Sequence, residues 1–118
     1  MFLIKNAQLR QLAEHGIDRF IDQLLPFIEE EYPEEILLED PAEVRQRLAA
    51  LVQKARHYGF VHEQHIASFV LFCMALGDDF DQQPDYKLVV ERLTDKTLEP
   101  QTRIDQAGEL IFDEQPQP

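Results

Sequence analysis

Apolar residues recur at spacings of three and four along most of this chain, and that rhythm predicts helices throughout. From 5 to 31, Leu9, Leu12, Ala13, Gly16, Ile17, Phe20, Ile21, Leu24 and Ile28 fall on one face, which predicts one long amphipathic helix. Gly16 lies on that stripe, where the missing side chain allows close helix contact. Pro26 removes a backbone hydrogen bond and is expected to kink the last turn. The helix should end before Pro33, because the residue preceding a proline avoids the α region. The connector from Tyr32 to Asp40 is acidic and carries Ile36, Leu37 and Leu38, of which one or two are expected to tuck under the fold.

The second helix has the plainest start signal: Asp40 as N-cap, Pro41 at the first helical position and Glu43 at the third. Its apolar stripe is Val44, Leu48, Leu51, Val52 and Ala55, while Arg45, Arg47, Lys54 and Arg56 are expected to face outward. Gly59, after Tyr58, is the expected left-handed stop. A third helix, about 62–76, is apolar nearly all round from Ile66 to Leu76, which predicts burial at the centre of the fold. Gly77 should end it by the same device. After an acidic turn at 78–81, a fourth helix is expected from about Pro84 to Leu93, burying Leu88, Val89 and Leu93. The last is expected from about Pro100 to Ile111, burying Ile104, Ala107, Leu110 and Ile111. The polar tail 113–118 is expected to be disordered. No period-two alternation supports a strand. The expected fold is all-α, a four- to five-helix bundle or orthogonal array around a buried central helix, with residues 1–112 forming one domain.

Charge narrows the function classes. The net charge is −12 in 118 residues. Such a surface opposes nucleic-acid binding, which needs cations to displace counterions from phosphate, and it opposes anionic membranes. It suits a basic protein partner. No run approaches the length of a membrane span, the N-terminal apolar run is too short for a signal peptide, and a single cysteine forms no internal disulfide. A cytoplasmic location is the expectation.

The candidate chemistry is thin. His57, His62 and His65 cluster in sequence, and a metal there would need a third ligand such as His57 or Asp79, but His62-Glu63-Gln64-His65 is one residue short of the zinc-protease spacing. Polar capping of the buried helix by His62 or Glu63 is the plainer reading. Cys73 lies in the most apolar stretch, which disfavours a reactive thiolate. Ser68, the lone serine, lies in the same helix. The runs Glu29-Glu30-Glu31, Glu34-Glu35 and Glu39-Asp40 suit a solvated face or a partner patch better than unequal catalytic carboxylates. Asp78, Asp79 and Asp81 suggest a calcium loop, but counting from Asp79 the glycine and glutamate positions hold Pro84 and Val90. No enzyme activity and no cofactor are expected.

One segment carries more than generic helix grammar. Tyr58-Gly59-Phe60 forms a helix–helix corner leading to Glu63, and Gly77-Asp78-Asp79-Phe80-Asp81 forms a stop, with Phe80 folding back on the core and Asp81 capping the next turn. Over roughly 50–90 this arrangement resembles small acidic all-helical accessory proteins, co-chaperone-like, encoded with type VI secretion effectors and their adaptors in Gram-negative bacteria. Where that pattern leads one to expect a tryptophan near the start of the fourth helix, this chain has Tyr86. The resemblance implies an accessory role in which an effector, adaptor or toxin is the protein partner, with no catalytic residues. Candidate partner-binding residues are Tyr32, Glu34, Glu35, Tyr58, Asp78, Asp79 and Tyr86. Phe60 is of an interface-prone type, but core packing is the favoured reading for it. Three alternatives remain: an immunity protein neutralising a basic toxin, a small metal-dependent enzyme using His57, His62 and His65, and a homodimer that shares the apolar third helix.

Overall fold

Helix ends set the layout. The computed structural model describes residues 16–37 and 39–113. Five α-helices follow in order: α1 Ile17–Glu31, α2 Pro41–His57, α3 Glu63–Leu76, α4 Lys87–Leu93 and α5 Pro100–Gly108. The described residues contain no strand, and the all-α expectation holds. The first part of the predicted 5–31 helix, Leu38 and the tail 114–118 lie outside the described residues.

α1 takes Gly16 as its N-cap residue, so the glycine stands at the start of the described helix rather than inside it. The helix continues past Pro26 and buries Phe20, Ile21, Leu24 and Ile28, the expected stripe. A 3-10 turn, Pro33–Glu35, leads out of it and buries Ile36 while leaving Leu37 67% exposed. α2 begins as its sequence signals: the Asp40 side chain accepts a hydrogen bond from the Ala42 amide at 3.1 Å, with Pro41 at the first helical position. It ends on Gly59 at φ +99°, with the Gly59 amide bonded to the Arg56 carbonyl and the Phe60 amide to the Ala55 carbonyl. That paired pattern satisfies two carbonyls that the helix end leaves bare.

α3 ends differently. Gly77 sits at φ +106°, ψ 149°, an extended left-handed conformation essentially reserved for glycine. Its amide closes the helix on the Cys73 carbonyl at 2.7 Å. The chain then turns sharply and returns Phe80 to the core, fully buried.

α3 is central: Ile66 through Met74 are all buried, and α1, α2 and α5 pack around it. Burial of α3 inside one chain removes the exposed apolar face that motivated a homodimer. Phe69 links the aromatic core, 5.1 Å from Tyr58, 6.4 Å from Phe60 and 6.0 Å from Phe80 between ring centres. Each fully buried phenylalanine contributes about 1.5–3 kcal/mol relative to exposure.

Three expected core positions differ. A 3-10 turn, Pro84–Tyr86, precedes α4, so the seven-residue helix presents Val89 and Leu93 inward and leaves Leu88 55% exposed. After Gly108 the last helix widens into a π-helical turn, Glu109–Asp113, which changes its phase and leaves Leu110 and Ile111 only half-buried. Arg103, which the pattern did not single out, is buried instead.

Candidate functional site

Arg47 and Lys54 are seven residues apart, two turns along one side of α2, beside the buried stripe. Both were expected to face solvent, and both turn onto the acidic stop after α3. Arg47 Nε and Nη2 donate to the two carboxylate oxygens of Asp78, each at 2.9 Å. Nη2 also donates to Glu35 Oε1 at 2.9 Å, and Nη1 to the Glu35 carbonyl at 3.1 Å. Lys54 Nζ donates to the Asp78 carbonyl at 2.6 Å and to Asp81 Oδ1 at 2.8 Å. Tyr58 Oη donates to Asp81 Oδ2 at 2.7 Å. Asp81 therefore does not cap the following turn, because both its oxygens are taken by α2. The reason is electrostatic: folding Phe80 inward draws Asp78 and Asp81 partly off the solvent, and such charges need partners.

The same contacts set the protonation states. Burial pushes the Asp81 carboxyl up, but hydrogen bonds from Lys54 and Tyr58 outweigh it and hold the group below its ordinary value. Burial first, then the bond to Asp81, raises the Tyr58 phenol far above the usual tyrosine range. The Asp78 hydrogen bonds raise Arg47 against the opposing effect of burial. A carboxylate held ionised beside a phenol held protonated is not poised to exchange protons near neutral pH. The arrangement is a clamp tying the α3 exit and the 33–35 turn to α2.

The histidines separate. His57 is exposed at the end of α2, beside an open cleft lined by Ala50, Gln53, Lys54, Tyr58 and Asp81. His62 is the N-cap residue of α3 and makes no side-chain capping bond. His65 is buried, 5.7 Å from the His62 ring. Among the described residues no three histidine, cysteine, aspartate or glutamate side chains converge as metal ligands. His65 belongs instead to the α3–α5 seam. Gln101 Nε2 donates to Asp105 Oδ1 at 2.9 Å, which turns its Oε1 toward His65 Nε2 at 3.0 Å. His65 Nε2 is thus the protonated nitrogen, and Nδ1 has no hydrogen-bond partner among the described residues. Burial lowers the His65 pKa; the bond to Gln101 opposes it, and neighbouring His62 and Arg103 add to the lowering. Arg103 donates Nε to the Leu98 carbonyl at 3.1 Å and lies 5.5 Å over the Phe60 ring. Burial pushes the Cys73 thiol up to about 12, so a thiolate is disfavoured there.

Of the seven candidate partner residues, the structure draws Glu35, Tyr58 and Asp78 into the clamp. Asp79 stays largely exposed, 3.9 Å from Lys54. Tyr86 is half-buried edge-on to Phe80. Tyr32 is half-buried, its phenol raised by burial and by Glu31. Glu34 is exposed in the 3-10 turn. Phe60 is wholly core.

Sequence reasoning missed an apolar groove nearby. Leu25, Ile36, Leu37, Pro41 and Val44 line it, with Glu29, Glu39 and Arg45 at its rim, and it encloses about 290 Å³. A smaller slot between α1 and α3 is lined by Phe20, Leu24, Phe27 and Ala67, with Gln23, Glu63 and Gln64. The signal for the groove was a run of exposed and buried aliphatics inside an all-acidic connector. No described helix is long and apolar enough to cross a membrane. No family model, curated protein or solved structure matches the chain.

Proposed function

We propose that this chain is a non-enzymatic protein-binding accessory protein that assists a type VI secretion effector, or the effector's adaptor, in the bacterial cytoplasm. The observation that supports this reading is the distribution of charge. Between Asp22 and Glu43 the chain carries nine acidic residues and no lysine, arginine or histidine. Two of the nine are paired, Asp22 with Arg45 at 2.7 Å and Glu35 with Arg47 at 2.9 Å, while Arg47 and Lys54 also serve the clamp. A face with this excess of acid speeds capture of a basic protein and repels nucleic acid and anionic membrane. The 58–63 corner and 77–81 stop that carry the resemblance serve as folding devices, so partner contact falls to the acidic face beside them.

The test is co-expression of the full chain with the effector and adaptor encoded beside it. An accessory protein co-purifies with one of them and raises the effector's abundance without protecting cells from it. Protection of cells that express the toxin, without a gain in abundance, replaces this reading with an immunity protein. Stoichiometric transition metal in the purified chain, with no partner, replaces it with a metal-dependent enzyme.

A further inference from the structure

We infer that the groove between the C-terminal half of α1, the 33–37 turn and the start of α2 seats a basic amphipathic segment of the partner protein, an inference that rests on the protein-binding reading above. The floor is aliphatic, formed by Leu25, Ile36, Leu37 and Val44. Leu37 is the unusual member, 67% exposed immediately after the buried Ile36. It is not loosely placed. Its amide bonds the Pro33 carbonyl at 2.9 Å, and the Ile36 amide and carbonyl are both engaged within the same turn. A leucine held in water by a fixed turn is preorganised for contact, because little conformational freedom remains to be lost on binding.

The rim specifies the charge of the occupant. Glu29 and Glu39 border the groove, and neither lies within ion-pair distance of a described cation. Arg45, the one cation at the rim, is turned toward Asp22 and Asp18. The last turn of α1 holds Glu29, Glu30 and Glu31 with no basic residue. Carboxylates at the negative end of a helix oppose its dipole, whereas cations there are favourable. A partner lysine or arginine therefore meets both the side chains and the helix end. At about 290 Å³ the groove lies at the low end of small-molecule sites, which run from roughly 300 to 1,000 Å³. It has room for one or two aliphatic side chains. The occupant that fits is a segment with an aliphatic residue flanked by cations, as on one face of an amphipathic helix.

The test uses the full chain and a synthetic helical peptide with leucines on one face and lysines and arginines flanking them. A scrambled peptide of equal composition and a glutamate-for-lysine version serve as controls. The expected result is saturable one-to-one binding by the patterned peptide, with amide shift changes centred on Leu25, Glu29, Leu37 and Val44. Leu37→Ser should weaken it about tenfold or more. The pair Glu29→Lys and Glu39→Lys should abolish it, and added salt should weaken it. Both sites are exposed, so helical signal and melting temperature should stay near those of the parent. Equal binding of the scrambled peptide, an inert Leu37→Ser change, absence of binding, or shift changes centred on Phe20 and Phe27 overturns the inference. The two readings fail separately. A neighbouring-gene partner that still co-purifies with the groove variants removes the groove and keeps the function. Peptide binding with no co-purifying partner keeps the groove and removes the function.

Discussion

Replacing Arg47 with alanine tests whether the clamp holds the fold. The substitution removes four hydrogen bonds at once and leaves Glu35 and Asp78 without their guanidinium. The side chains involved are neither free in water nor fully dry: Arg47 is 21% exposed and each carboxylate 34%. Exposed ion pairs are worth about 0–1 kcal/mol, and orphaning a fully buried charge costs about 3–5 kcal/mol. Partial exposure and the bidentate geometry place Arg47→Ala at about 2 kcal/mol. For a chain of this length that lowers the melting temperature by about 8 °C, read by circular dichroism at matched pH and salt. Arg47→Lys keeps the charge and loses the fork, and should recover about half of the loss. Combined with Asp78→Ala, the double-mutant cycle should give a coupling of about 1 kcal/mol or more. A loss under about 0.5 kcal/mol, or a coupling near zero, would show that solvent screens these charges as on an ordinary surface, and the clamp argument would fail.

Three further outcomes follow from the seam, the stop and the core. His65 is held neutral by burial, so its folded pKa lies below the unfolded value of about 6.5. Its contribution to stability is therefore complete above about pH 6.5 and is lost as pH falls through the folded value. His65→Gln should flatten that acidic decline in urea denaturation, and an unchanged pH slope counts against the seam. At Gly77 an added Cβ meets nothing within 4 Å, so the effect of Gly77→Ala is all backbone strain, about 1–3 kcal/mol; a melting point matching the parent would contradict the stop. Cys73, fully buried, should resist thiol reagents in the native protein and label fully in denaturant, and rapid native labelling would refute its placement.

How far the sequence could be read depended on how far apart its interacting residues lie. The Asp40-Pro41 start, the Gly59 and Gly77 stops and the all-round apolar α3 were legible because each rule acts within a turn or two of helix. The clamp was not. Arg47 and Asp78 are 31 positions apart, and along α2 a cation beside the apolar stripe looks the same whether it meets water or a distant carboxylate. Leu88 and Leu110 were misplaced for a related reason: a 3-10 entry and a π-helical exit shift helical phase, and neither leaves a periodic mark. Leu37 was legible as aliphatic, but its exposure depends on hydrogen bonds of the 33–37 turn. The illegible clamp and the illegible groove are linked. The chain has 11 lysines and arginines against 23 acidic residues. Neutralising the stop after α3 requires Arg47 and Lys54, and joining α1 to α2 occupies Arg45. The ion pairs that secure the fold thus leave Glu29 and Glu39 without a partner among the described cations around an aliphatic floor, so the groove's charge follows from the same pairing that stabilises the helices beneath it.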